Sequence, residues 1–205
     1  MRTLTCLTLV VLALTGSVVT SAAAQSAQYF PPQTRVVVLP ILNETSEKWQ
    51  ELKDQQIKKG AEWFKEEFGG RGFILIPKEE IAAEVAALQI DFADESQRSP
   101  ANLIKLGRAL KAQLVILPVI TASGQRLIQG LLTQSKGGKV TMRLWFVDSD
   151  RSEALFEAKE QSGRASGQVF IGTEKGSTQQ IKAVGNTLRD AFKEFLKPYP
   201  KPKKG

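Results

Sequence analysis

The chain has 205 residues, 42% of them hydrophobic and 24% charged, which is typical of a globular protein with one domain. It has no histidine and a single cysteine, Cys6, so a Ser-His-Asp triad, a Cys-His pair and a histidine metal site are excluded. Lys and Arg number 28 against 21 Asp and Glu, but four of the lysines lie in the last nine residues. We therefore expect no enzyme, no cofactor, no metal and no nucleic-acid partner.

The first 24 residues have the pattern of a secretory signal peptide. Arg2 precedes an apolar stretch at 4–14, and Ala22 and Ala24 are the small residues that a signal peptidase requires before Gln25. The apolar stretch is shorter than the roughly 20 residues of a membrane-spanning helix. We expect an exported protein of the periplasm or the extracellular space that is soluble after cleavage, with an uncleaved anchor as the alternative.

The mature chain begins with a strand and a helix. After a lead-in at 25–34, the apolar run VVVLPIL at 36–42 predicts a strand buried on both faces. After the turn and N-cap residues at 43–46, a helix is predicted to run to Phe68, where Gly69 and Gly70 end it. The residues expected on its core face, at spacings of four, three and four, are Ile57, Ala61, Phe64 and Phe68.

The next segments continue the alternation of strand and helix. A short buried strand is predicted at 73–76, and Pro100 begins a helix after the polar loop 91–99. The inward residues of the helices on either side of this loop are Ile81, Val85, Leu88, Leu103, Leu106 and Leu110. Both helices are therefore expected to pack against a sheet.

The second half is predicted to contain three strands and a helix. The run LVILPVI at 114–120 predicts a doubly buried strand, and alternation in 139–148 predicts a strand covered on one face. Residues 153–161 are predicted to pair with it as a polar edge strand, 162–177 to be mobile, and 178–196 to form the last helix. The residues expected on the covered face are Val140, Met142, Leu144 and Phe146.

The order of these elements is β-α-β-α-α-β-β-β-α. It predicts a single α/β domain of three layers, in which a mixed sheet of about five strands carries helices on both faces. The mature chain then divides into the lead-in 25–34, the domain 35–197 and a basic, Pro-rich tail at 198–205.

Three phrases of the sequence together resemble one family of small α/β domains. They are RVVVLPILNET at 35–45, LGRALKAQLVILPVI at 106–120 and MRLWFVDSDRSEALFEAKEQ at 142–161. The combination resembles the domain shared by the TolB amino-terminal domain, the curli secretion protein CsgG and the lipoprotein activators of penicillin-binding proteins. The resemblance implies a non-catalytic envelope protein that acts as an interaction or assembly accessory, through an envelope protein partner or through self-association.

Two other functions, a hydrolase and a module that binds a small ligand, stay as alternatives, whereas a nucleotide-binding loop is not indicated. Neither Gly69-Gly70-Arg71-Gly72 nor Gly137-Gly138-Lys139 has the spacing of a nucleotide-binding loop. Aspartates in turns usually accept local hydrogen bonds, but a cell-wall glycan hydrolase that uses two converging carboxylates stays an alternative. The candidates for that pair are Asp91, Asp94, Asp148 and Asp150. A periplasmic module that binds a small ligand is the other alternative, and its mark would be a pocket.

The first helix offers a candidate contact face. At 100° per residue, Trp49, Leu52, Gly60 and Trp63 fall roughly 60 to 140° to one side of the predicted core stripe. Either the helix is buried over a wide arc, under Tyr29 and Phe30 of the lead-in, or it presents an apolar strip to a partner. The contact face would then consist of Trp49, Leu52 and Trp63.

The C-terminal tail offers a second candidate surface. Its lysines are Lys197, Lys201, Lys203 and Lys204. The Pro-rich composition predicts an extended and mobile segment. The tail is either a solvated terminus or a weak contact for anionic lipid or cell-wall polymer.

Overall fold

The structure is a computed structural model that describes residues 29–129, 134–168 and 177–202. The predicted signal peptide, Lys203 and Lys204 lie outside these residues. The described strands are β1 (Arg35–Val38), β2 (Leu42–Asn43), β3 (Ile74–Leu75), β4 (Leu114–Gln129), β5 (Gln134–Asp148) and β6 (Glu153–Gln168). The described α-helices are α1 (Gln50–Glu67), α2 (Lys78–Ala87), α3 (Pro100–Ala109) and α4 (Ser177–Leu196).

The six strands form one mixed sheet in the order β3-β1-β4-β5-β6, and β2 also pairs with β4. The predicted first strand is divided in two at Leu39-Pro40-Ile41, because proline has no backbone N–H to donate. Both pieces pair with β4 in parallel, whereas β4, β5 and β6 are antiparallel neighbours. The predicted mixed sheet is therefore confirmed, with β6 at one edge as expected.

Helices cover both faces of the sheet, as predicted. Alternate residues of β4 point to opposite sides, so Ile116 joins the core under α1 and α4, while Leu117 joins the core under α2 and α3. The residues of β4 from Leu114 to Leu117, with Val119 and Ile120, are fully buried, which confirms a strand covered on both sides. None of the described helices has the length and the apolar character needed to cross a bilayer.

The core face of α1 is rotated from the predicted stripe. Ala61 is exposed and Ile57 is half-buried, although Phe64 and Phe68 are buried as expected. The reason lies in the packing of α1 against α4, in which Gly60 lies against Ile41 and Val184 and leaves no room for a side chain. The buried residues of α1 are Leu52, Gln56, Gly60, Trp63 and Phe64.

The sheet is longer than the sequence pattern indicated. Residues 162–168, predicted to be mobile, continue β6 and pair with 135–141 of β5. The absence of a side chain at Gly163 allows α4 to lie close to the sheet, since a Cβ there would meet the backbone of Thr187. Residues 169–176 of the predicted mobile stretch lie outside the described residues.

The face predicted to be open on β5 is covered over part of its length. Val140, Met142, Leu144 and Phe146 are buried on the α1 and α4 side, as expected. On the other side, Trp145 and Val147 are also buried, because they pack with the core that α2 and α3 cover. Only the part of β5 before Leu144 has the predicted single covered face.

Candidate functional site

The structure separates the residues of the predicted contact face. Trp49 is 65% exposed just before α1, whereas Leu52 and Trp63 are 3% and 5% exposed. The Trp63 ring lies 5.2 Å from that of Phe64 and 5.9 Å from that of Phe192, so it belongs to the aromatic core. Of the three, Trp49 is the side chain that is exposed to solvent.

The lead-in does not cover the two tryptophans. Phe30 is 64% exposed, and Tyr29 packs on Phe195 of α4 with ring centroids 5.7 Å apart. The Tyr29 hydroxyl donates to Asp148 Oδ2 at 2.7 Å, and the Tyr199 hydroxyl accepts from the backbone N–H of Tyr29 at 2.9 Å. Tyr29 thus ties residues near both ends of the described chain to the end of β5.

The junction at Tyr29 has a pH dependence. Burial, followed by the hydrogen bond to Asp148, raises the pKa of the Tyr29 hydroxyl well above its usual 10. In the unfolded chain this tyrosine loses its proton at a lower pH than in the folded chain. The stability that Tyr29 contributes is therefore complete below about pH 10 and decreases as the pH rises further.

Replacing Tyr29 by phenylalanine is expected to reveal this contribution. At about pH 8, Y29F should lower the free energy of unfolding by about 2 kcal/mol, because buried Asp148 loses a donor. At about pH 11 the difference from the parent should shrink, because the parent has lost part of the same contribution. Urea unfolding at both pH values measures this, and a difference that stays constant would contradict the assignment.

The candidate aspartates are held by donors of their own turns. The backbone N–H of Ala93 donates to Asp91, and that of Arg151 donates to Asp148. Asp94 accepts from the hydroxyl and the backbone of Ser96, and these hydrogen bonds, the hydroxyl first, lower its pKa. A general acid needs the opposite shift.

The remaining candidates add no catalytic geometry. Asp150 is exposed, and the residues that the structure describes contain no group of three His, Cys, Asp or Glu able to hold a metal ion. Gly69-Gly70-Arg71 is a short 3-10 helix, and Gly137-Gly138 lies within β5. Neither glycine segment precedes an α-helix as a phosphate-binding loop does.

The beginning of the tail is packed on the domain. Tyr199 is buried, and Lys201 Nζ lies 2.8 Å from Glu67 Oε1, so this part is not the free extended segment that composition predicted. Burial opposes ionisation of Glu67, but hydrogen bonds from Lys201 and Arg71 outweigh it and lower its pKa. Lys197 is exposed, 3.9 Å from Glu194.

A groove of about 520 Å³ lies between α1 and α4 and reaches β6. Trp63 and Gly185 contribute to its wall, and β6 contributes the segment 164–166. Asn186 links α4 to β6, since its Nδ2 donates to the carbonyl of Arg164 at 2.7 Å. The charged residues of the wall are Lys59, Glu66, Glu67, Arg164, Lys182 and Arg189.

The groove contains an unsatisfied donor. The indole N–H of Trp63 is buried and has no hydrogen-bond acceptor. A buried donor without a partner costs about 1 to 3 kcal/mol. A Cβ at Gly185 would lie 3.8 Å from Trp63 Cδ1, the ring atom bonded to that nitrogen.

The groove carries more positive than negative charge. Four of its side chains are cationic and two are carboxylates. One of the carboxylates, Glu67, is already paired with Arg71 and Lys201. Lys59 lies 3.7 Å from Glu62, and Arg189 Nη1 donates to Asn186 Oδ1. The wall therefore has two more cationic than acidic side chains, and one of the cations, Lys59, is offset by Glu62.

A second cavity, of about 450 Å³, is lined by the C-terminal part of β4, the N-terminal part of β5 and the C-terminal part of β6. Its described wall includes Gly124, Gly137 and Gly138, and Lys139 opposite Arg164 on the neighbouring strand. Apart from these two cations, its described wall offers small and amide side chains. The groove between α1 and α4 is chemically the richer site.

Sequence reasoning did not assemble the groove. Its residues come from α1 and, about a hundred residues later in the chain, from β6 and α4, and only Trp63 was singled out. Gly185 was the available signal, because a glycine within a predicted helix lowers stability unless close packing or a binding site requires it.

Comparison with known proteins gives distant structural similarities. No protein-family model matches the chain, and no curated protein matches it. The lipoprotein GNA1162 from Neisseria meningitidis superposes with a TM-score of 0.45 at 18% identity, over 77% of this chain and 99% of that one. A hypothetical protein, CT253 from Chlamydia trachomatis, gives 0.43 at 17% identity, over 80% and 94%.

The C-terminal domain of LpoB from Salmonella enterica is a third similar structure. It superposes with a TM-score of 0.42 at 13% identity, over 68% of this chain and 86% of that one. All three TM-scores lie below 0.5. The resemblance to TolB and CsgG that the sequence phrases indicate stays a prediction.

Proposed function

We propose that the chain is an exported, non-catalytic accessory protein of the cell envelope that binds another envelope protein. The observation that carries this proposal is the outer edge of β6, a strand of 16 residues with no strand beyond it among the described residues. An unpaired strand edge offers backbone donors and acceptors to an added strand. Exposed Trp49 supplies an aromatic anchor of the kind that contributes strongly to interfaces.

The two halves of this edge differ in character. The first half carries Glu153, Glu157, Lys159 and Glu160, and Ala158 has a φ of 49°, which marks an irregular backbone. Charges and irregularities of this kind protect an edge from unwanted pairing. The second half, 161–168, has one charged residue, Arg164. Apart from the Arg164 carbonyl, which already accepts from Asn186, the second half is therefore the favoured position for an added strand.

Site-specific photocrosslinking in the cell envelope tests this function. A photoreactive amino acid is placed at Ser162 of β6 and, in a second variant, at Trp49. Exposed Ala83 of α2, a helix that contains neither position, is the matched control position. We expect one and the same protein to be recovered from positions 162 and 49 and not from 83. A second copy of this chain would identify self-association as the interaction.

Failure of this experiment has a definite meaning. If positions 162 and 49 capture no protein above the amount captured at 83, the protein-binding function is wrong. Mass spectrometry of the same material also determines whether the chain begins at Gln25, as the proposed export and signal-peptide cleavage require.

We also propose a weak electrostatic contact of the tail with anionic lipid. Lys197 is exposed, and each lysine near an anionic surface contributes about 1 kcal/mol. Because Tyr199 and Lys201 pack on the domain, the test replaces Lys197, Lys203 and Lys204 by glutamine and leaves those two residues in place. Sedimentation with phosphatidylglycerol vesicles should decrease in this variant, and unchanged binding would contradict the contact.

A further inference from the structure

We propose that the groove between α1 and α4 binds an extended, acidic segment of the partner protein. This inference rests on the proposed protein-binding function and names the chemistry of the partner. It is supported by an unsatisfied donor, by the distribution of the positive charge and by the position of the β6 backbone.

The unsatisfied donor indicates a ligand that brings an acceptor. Trp63 Nε1 is buried without an acceptor, and the neighbouring ring atom Cδ1 lies 3.8 Å from the position that a Cβ at Gly185 would take. A carboxylate that enters when the groove side chains part would accept this N–H. The donor would then be satisfied in the complex and unsatisfied only in the free protein.

The spread of the cations favours a chain with several carboxylates. Lys182 and Arg189 are seven residues apart on α4, which is about 10 Å along the helix axis at 1.5 Å per residue. Lys59 lies on α1 and Arg164 on β6, so the cations come from three different elements of the groove wall. Acidic side chains along an extended segment can contact cations on several elements at once.

The backbone of β6 favours a protein segment over another polyanion. Residues 164–166 line the groove and belong to the edge strand of the sheet. Because the Arg164 carbonyl already accepts from Asn186, an extended peptide beside this edge would pair with the remaining backbone groups of the segment. Glu66 in the wall also disfavours a dense polyanion, because it repels an unbroken row of negative charges.

Nuclear magnetic resonance of the indole N–H groups provides a direct test. The chain has three tryptophans, and in uniformly nitrogen-15-labelled protein of residues 25–205 each gives an indole signal. The variant Trp63→Phe assigns the signal of Trp63. Titration with acetylated, amidated hexaglutamate should shift this signal in a saturable manner, and the signal of Trp145, which packs on the other face of the sheet, should not move. Hexaglutamine of the same length is the uncharged control and should cause no shift.

Two leucine variants separate the groove from the rest of the surface. Gly185→Leu places a side chain in the groove, and its Cβ is accommodated at ordinary contact distance from Trp63. Ala61→Leu adds the same side chain to an exposed position of α1 outside the groove wall. We expect at least a tenfold loss of hexaglutamate affinity for G185L and no change for A61L. Circular dichroism and thermal unfolding verify that both variants fold.

Three outcomes would overturn the proposal. The first is a Trp63 signal that does not move at millimolar hexaglutamate. The second is equal affinity in G185L and A61L. The third is an equal shift with inorganic phosphate or with phosphatidylglycerol vesicles, which would identify a different anion. If photocrosslinking from Ser162 still captures a protein in any of these cases, the protein-binding function stands and only the acidic groove ligand is wrong.

Discussion

Replacing Gly163 by alanine is expected to lower the free energy of unfolding by about 3 kcal/mol. A Cβ at this position would lie 2.7 Å from Thr187 Cα and still closer to the Thr187 backbone nitrogen. These atoms belong to the backbone of α4, so relief requires the helix to move away from the sheet. The buried face of α4, which includes Val184 and Phe192, would then lose packing.

Gly124→Ala is the matched control for this prediction. Gly124 also lies in the antiparallel part of the sheet, but a Cβ there has no atom within 4 Å. Its change in stability is expected to stay within about 0.5 kcal/mol. Urea unfolding of both variants measures the two free energies. Equal stabilities of the two variants would show that α4 does not lie close to the sheet at Gly163.

Replacing Phe192 by alanine is expected to lower the free energy of unfolding by about 4 kcal/mol. Phe192 is fully buried at the centre of the aromatic core between α1, α4 and the sheet. Its neighbours cannot close the resulting cavity easily, because they are held by one another. The rings within 6 Å of the Phe192 ring are those of Trp63, Phe64, Phe68, Phe146 and Phe156.

Phe30→Ala is the matched control, because it removes a phenyl ring from an exposed site. Phe30 is 64% exposed in the lead-in, so its replacement is expected to change stability by less than about 0.5 kcal/mol. Thermal and urea unfolding of F192A and F30A compare the two sites directly. A loss for F192A no greater than that for F30A would contradict the central position of Phe192.

Much of the fold could be predicted from local patterns. The continuous apolar run at 114–120 indicated a strand covered on both sides, and the structure buries this strand between two helical layers. The polar segment 153–161 indicated an edge strand, and β6 lies at the edge. These predictions hold because a strand covered on both faces needs apolar residues at successive positions, whereas an edge strand tolerates polar ones. A single sequence displays both patterns.

The rotation of α1 could not be predicted in the same way. The apolar residues of this helix occupy a wide arc, and both Ile57 and Trp63 are compatible with a core position. Close contact at Gly60 with Ile41 and Val184 selects the observed face, and these residues come from distant segments. The groove also lies between α1 and α4, so the candidate site was equally hidden from sequence reasoning.

The sequence by itself determined the order of the elements, the doubly buried central strand and the exclusion of histidine chemistry. Each follows from composition or from a hydrophobic period within one segment. The tertiary structure decided which tryptophan is exposed, how far β4, β5 and β6 extend, and which charged residues share a groove. Those features depend on contacts between segments far apart in the chain, and local periodicity contains no information about such contacts.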